Sequence, residues 1–261
     1  MTERETAPLG APCWTDLWTS DVEGSRSFYG ALFGWDADDP DPQFGGYFIF
    51  NRMGTQIAGA MGDMGDQKAT NTWSVYLATD DAAKTVELAE AAGATAVSPA
   101  MAVGDLGTQV VLLDPTGAHV GAWQPATFPG FRMLNEHAAP SWFELLTSDY
   151  KAAVAFYRDI FHWETQEISD TDEFRYTVLK DPSGEGELAG IMDASNFLAD
   201  GAGSHWKVYW EVADIDTTVA KVLELGGSVE QPVQDTPYGR LAGVADPAGA
   251  GFSLRQPPAS E

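Results

Sequence analysis

The chain has 261 residues, 44% of them hydrophobic, and carries 39 acidic against 14 basic side chains for a net charge of −25. That balance excludes nucleic acid as a partner, because no excess of Lys and Arg exists to release phosphate counterions, and it disfavours anionic membranes. A lone cysteine, Cys13, excludes an intrachain disulfide and a Cys-rich zinc site.

The N-terminal stretch MTERETAPLGAP has no apolar leader region, and no run reaches transmembrane length. A soluble, cytoplasmic protein is expected. The acidic surface serves either solubility or an acid-mediated partner contact. The hydrophobic content suffices for two ordinary cores.

The chain is organised by a repeat. Residues 14–35, WTDLWTSDVEGSRSFYGALFGW, return at 142–163 as WFELLTSDYKAAVAFYRDIFHW. A shared Trp, an acid two residues on, Thr-Ser-Asp, Phe-Tyr and Phe-x-Trp in register imply a duplicated domain. In each copy alternating residues predict a strand, with Trp14, Asp16 and Trp18 on one face. An amphipathic helix follows. Ser20 is expected to cap the first, with Glu23 completing a capping box, and Ser148 or Asp149 to cap the second. Gly34 is a natural helix stop.

Further along, 46–50 and 55–61 predict a hairpin, and WSVYLAT (73–79) a strand. A helix capped by Asp80 or Asp81 ends at Gly93, and strands near 107–113 and 118–123 flank the turn tetrad Asp114-Pro115-Thr116-Gly117. The order then repeats: 174–180, a DPSGEG turn, 187–192, a strand at 206–212, a helix capped by Asp214, and a hairpin around Asp246-Pro247-Ala248-Gly249. Residues 126–139, with Pro, Gly and a polar run, read as a linker between domains at 12–125 and 140–256. Strand, helix and about three strands occur twice per half. The expected class is therefore α+β, with four βαβββ modules in two tandem domains.

Four βαβββ modules, the FY-x-x-x-F-x-W helix ends and the D-P-x-G hairpins resemble the vicinal oxygen chelate superfamily. That group includes glyoxalase I, bleomycin-resistance proteins and extradiol dioxygenases, and this chain is most similar to its actinobacterial tandem glyoxalase-like members. The resemblance implies paired modules wrapped around a cleft. In metal-dependent members it also implies His or Gln early in each module's first strand, and Glu seven residues after the Asp of D-P-x-G. Here the strand positions are Trp14, Ser74, Trp142 and Lys207, and the others are Gly121, Ser253, Gly59 and Gly190. None is a chelating residue, so no metal and no other cofactor is expected.

Alternation places Trp14, Asp16, Trp18, Ser74, Tyr76, His119 and Trp123 in the first cleft. It places Trp142, Glu144, Leu146, Lys207, Tyr209, Glu211, Ser253 and Arg255 in the second. Asp16, His119, Glu144 and Lys207 are the candidate acid–base residues: Asp16 with His119, Glu144 with Lys207. Trp14, Trp18, Tyr76, Trp123, Trp142, Tyr209, Glu211 and Arg255 are the candidate ligand contacts. Each has a structural alternative. The acids can satisfy strand backbone, Lys207 and Glu211 can form an ion-pair lattice, and the aromatics can simply pack.

The first expectation is metal-free binding of an aromatic or hydrophobic small molecule, linked to secondary metabolism or resistance. The alternative is a glyoxalase-like lyase, isomerase or oxidoreductase. The chain is expected as a monomer with pseudo-dimeric domains or as a homodimer.

Overall fold

A computed structural model describes residues 4–184, 186–198 and 203–258. The N-terminal reading at residues 1–3 and Glu185 of the DPSGEG turn fall outside them.

The first half runs β1 (Pro12–Trp18), α1 (Val22–Phe33), β2 (Asp36–Ala37), β3 (Phe48–Arg52), β4 (Thr55–Met61), β5 (Thr72–Ala78), α2 (Ala82–Ala91), β6 (Thr95–Ala96), β7 (Met101–Val103), β8 (Gly107–Leu113) and β9 (His119–Pro125). The second half runs β10 (Pro140–Thr147), α3 (Tyr150–Ile160), β11 (Thr165–Asp170), β12 (Arg175–Lys180), β13 (Glu187–Asp193), β14 (His205–Glu211), α4 (Ile215–Glu224), β15 (Ser228–Thr236), β16 (Gly239–Ala245) and β17 (Gly251–Gln256).

Each half forms one mixed sheet, β2-β3-β4-β1-β5-β9-β8-β6 and β11-β12-β13-β10-β14-β17-β16-β15, with β7 alongside β8. Two modules meet side by side through the antiparallel pairs β1/β5 and β10/β14. The expected α+β architecture of tandem domains is the observed one.

Among the described residues all four α-helices begin on an aspartate. Asp21, Asp81, Asp149 and Asp214 each accept from the backbone N–H three residues on. The expected Ser20 cap is therefore displaced by one residue. Thr19 explains the shift: its hydroxyl accepts from Asp21 N–H and bonds Ser25, which fixes the chain so that Asp21 faces the helix. Gly34 ends α1 in the left-handed conformation, φ 71°.

The 126–139 segment is packed, not a free tether. Phe131, Met133, Ala138 and Ala139 are buried. Phe128 and Phe131 lie 4.8 and 5.3 Å from the Trp14 ring, and Phe131 lies 5.5 Å from Phe143. Apolar side chains within a Pro/Gly-bearing stretch override its linker-like composition.

The repeated Phe-Tyr and Phe-x-Trp residues build a core shared by the two halves. Tyr29 accepts from Trp73 Nε1 of its own domain and donates to Asp246 of the other, at 3.1 Å in both cases. The second copy mirrors it: Tyr157 accepts from Trp206 Nε1 at 2.9 Å and donates to Asp114 at 2.8 Å. Phe33 and Trp35 pack on Trp210, and Phe28 on Phe252. Thus the D-P-x-G aspartates do two jobs. One carboxylate oxygen closes its own turn through three local N–H and O–H donors at Asp114, and the other holds a tyrosine of the opposite domain.

Candidate functional site

Strand alternation sends Cys13, Thr15 and Leu17 of β1 into the core, each 0–1% exposed, and turns Trp14, Asp16 and Trp18 the other way. Cys13 packs as a small hydrophobe whose thiol is pushed up to about 12 by burial, out of reach of nucleophilic chemistry. Beside β1, Gly59 on parallel β4 and Ser74 on antiparallel β5 stand level with Asp16, and Tyr76 stands level with Gly121 of β9.

Asp16 is the floor of a groove. Its Oδ1 accepts from Tyr47 Oη at 2.6 Å, and Tyr47 Oη in turn accepts from Trp14 Nε1 at 2.9 Å. The Tyr76 hydroxyl lies close enough to the carboxylate to favour its charged form. Burial raises Asp16 to about 6, with the hydrogen bonds from Tyr47, Tyr76 and Trp14 opposing it. Tyr47 and Tyr76 are held well above the ordinary phenol range by burial and by Asp16, so both stay protonated donors.

The second domain repeats this cluster with a longer acid. Tyr176 and Tyr209 donate to the two oxygens of Glu144, each at 2.7 Å, and Trp142 Nε1 donates to Tyr176 at 3.0 Å. Burial raises Glu144; Tyr176, Tyr209 and the nearby Lys207 oppose it.

Tyr47 and Tyr176 were not among the sequence candidates. Their signal was the repeat itself. Ile49 pairs with Gly59, and Val178 with Gly190, so the hairpins align with a tyrosine two residues before each. A side chain at Gly59 would overlap Tyr47 Oη and Asp16, one at Gly121 the Tyr76 ring, and one at Gly190 Tyr176 Oη. The tyrosines occupy the space that ligand-bearing side chains at these positions would need.

The groove measures about 2260 Å³ and is walled by Trp14, Trp18, Tyr47, Tyr76, Trp123 and Phe128. It runs on to Leu146, His205 and Lys207 of the second half. Trp18 and Trp123 are held by N–H bonds to Gly62 and Phe128 carbonyls, both at 2.9 Å. Trp14, Asp16, Trp18, Ser74, Tyr76, His119 and Trp123 all line this groove.

Several expected pairings are not formed. His119 is exposed on the groove wall. It stands level with Ser74 on the second strand over from Asp16, and no hydrogen bond or ion pair joins the two. Lys207 is directly opposite Glu144, but its nearest carboxylate partner is Glu230 at 4.0 Å. Glu211 pairs with Arg255 at 3.2 Å instead of Lys207. Arg255 also donates to the Tyr238 carbonyl, so both Glu211 and Arg255 are committed to holding strand ends.

Comparison with known proteins places this geometry. A profile described as the Glyoxalase/Bleomycin resistance protein/Dioxygenase superfamily matches residues 139–254, and one described as a Glyoxalase-like domain matches residues 14–121. The candidate glyoxylase CFP32 of Mycobacterium tuberculosis is 34% identical over 262 residues, covering 98% of both chains. The chain belongs to the glyoxalase/bleomycin resistance protein/dioxygenase superfamily.

The anthracycline biosynthesis protein DnrV of Streptomyces peucetius is 36% identical over 265 residues, covering 94% of this chain and 92% of its own. Among solved structures, the Mn(II)-bound glyoxalase from Novosphingobium aromaticivorans superimposes with a TM-score of 0.64 at 13% identity, over 95% of this chain and 82% of that one. The halotolerant catechol dioxygenase BphC gives 0.61 at 14%, over 95% and 87%. These structural likenesses concern the fold.

A divalent ion in such a bowl wants three or four N or O ligands. Around Asp16 the polar neighbours are two protonated phenols and an indole N–H, none of them an imidazole or a second carboxylate. Among the described residues no group of three or more His, Cys, Asp or Glu is placed to hold a metal. The donor set of this superfamily member does not fit the ion.

Proposed function

We propose that the N-terminal bowl binds a planar aromatic or hydrophobic small molecule without a metal ion, in a role tied to secondary metabolism or resistance. The observation that carries this reading is the Asp16–Tyr47–Tyr76 floor, which fills the family's ion position while the walls stay aromatic and open. Phe44, Met64, Val97, Met101 and Phe197 are exposed around the same groove, which supplies apolar surface for a ligand to cover. Single small-molecule pockets hold roughly 300–1,000 Å³, so this groove has room for a polycyclic ligand. The name of DnrV directs the choice of probe toward planar polycyclic compounds. The test is a panel of such compounds, an anthracycline aglycone among them, read by tryptophan quenching and by thermal shift. Quenching with a raised Tm is expected; silence across the panel rejects the reading.

A second reading is metal-free proton transfer in a lyase or isomerase. It is favoured by Asp16, whose carboxyl near 6 is shared between its protonated and ionised forms close to neutral pH. On that reading Asp16→Asn lowers kcat far more than it weakens substrate binding.

A further inference from the structure

The two acid–tyrosine clusters have the same parts but different surroundings. In the first domain the acid is Asp16, one methylene shorter than its counterpart, and it reaches the groove together with Tyr47 and Tyr76. Gly121 beside Tyr76 lets that ring lie over strand β9. In the second domain Ser253 takes the place of Gly121 next to Tyr209. Glu144 is 5% exposed, and Phe174 stacks on Tyr176 at 5.5 Å. The groove's walls include none of Trp142, Glu144, Tyr176, Tyr209 or Ser253. Both Glu144 oxygens already accept a tyrosine hydroxyl.

Each carboxylate oxygen has two lone-pair sites, so Asp16, held by hydroxyl donors and facing the groove, retains acceptor capacity there. A neutral hydroxyl costs less to bring between apolar walls than an ammonium, which must be stripped of water. It is also the same kind of donor that Tyr47 and Tyr76 already present to this acid.

Resting on the ligand-binding reading above, we infer that the duplicated bowls have diverged, with the N-terminal one alone receiving ligand and Asp16 accepting a hydrogen bond from a phenolic hydroxyl on it. The Glu144 cluster is its sealed copy and holds the second sheet together.

The discriminating pair of probes is 2-hydroxyanthraquinone and its 2-methoxy ether, alike in shape and different only in the donor. Tryptophan quenching is titrated in wild type, Asp16→Asn and Glu144→Gln, with circular dichroism and thermal melts confirming that each variant is folded. The hydroxyl compound is expected to bind wild type and Glu144→Gln alike and at least tenfold more tightly than the ether. Asp16→Asn, which keeps only a neutral and weaker acceptor, is expected to cut that preference severalfold while still binding the ether.

Equal binding of the two probes to wild type overturns the inference and leaves the aromatic-site reading standing. So does a preference that Glu144→Gln removes and Asp16→Asn keeps. Should Asp16→Asn fail to fold, Tyr47→Phe and Tyr76→Phe replace it. The first takes the donor from Asp16 Oδ1 and the second removes the other hydroxyl beside the same carboxylate, and an unchanged hydroxyl preference in both overturns the inference. No quenching by either probe in wild type overturns it together with the reading it rests on.

Discussion

At Asp16, burial and hydrogen bonding oppose each other, and burial wins. A carboxyl raised from 3.8 to about 6 binds more protons in the folded chain than in the unfolded one. Its contribution to stability is thus most favourable below the unfolded value and is lost as pH rises from about 4 through 6. The difference is worth about 3 kcal/mol at 1.36 kcal/mol per unit. Asp16→Asn removes this dependence, so its stability relative to wild type should improve between pH 4.5 and 7.5. Urea unfolding at both values measures it; an unchanged difference would mean the carboxyl is not destabilised in the fold. Gly59 is a second residue-scale case. Alanine there collides with Tyr47 Oη and Asp16, and displacing Tyr47 should cost about 1–3 kcal/mol, the usual range for overpacking.

At the scale of elements, the helices start where an aspartate can reach a free N–H. Asp149→Ala should cost about 1 kcal/mol and Asp21→Ala the same. Ser20→Ala, whose side chain caps nothing, should stay within about 0.5 kcal/mol, as surface changes do. Thermal or urea unfolding of the three variants separates these outcomes. An equal loss at Ser20 and Asp21 would restore the capping box that the sequence suggested. The strands were legible because side-chain alternation is local. The edge strands β2, β6, β7, β11 and β15 were not, since pairing with a neighbour creates them: the first three are too short to carry a period, and β11 and β15 are largely exposed on both faces.

For the whole molecule, the two halves are joined by a reciprocal pair of tyrosines. Tyr157→Phe strands Asp114 Oδ2 and Trp206 Nε1 in a buried core, and Tyr29→Phe does the same to Asp246 and Trp73. Each should cost about 1–3 kcal/mol for a buried group left unpaired. If these bonds hold the domains together, the double variant should become sensitive to proteolysis within 126–139, where wild type is packed. Resistance equal to wild type would locate the domain contact in the Trp35 and Trp210 packing alone. No helix among the described residues is long and apolar enough to cross a membrane.

The repeat, the module order and the faces of β1 and β10 are written in the sequence, because they depend on spacing over a few residues. The lack of chelating side chains at Gly59, Gly121, Gly190 and Ser253 is written there too, once the family resemblance gives those positions meaning. Tertiary structure alone decided what fills the bowl. Tyr47 reaches Asp16 across 31 residues and Tyr29 reaches Asp246 across 217, and no local period reports a contact that strand register and domain packing create. For the same reason His119 and Asp16, which alternation put on one face, stand two strands apart: a shared face fixes direction, and only the order of strands in the sheet fixes distance.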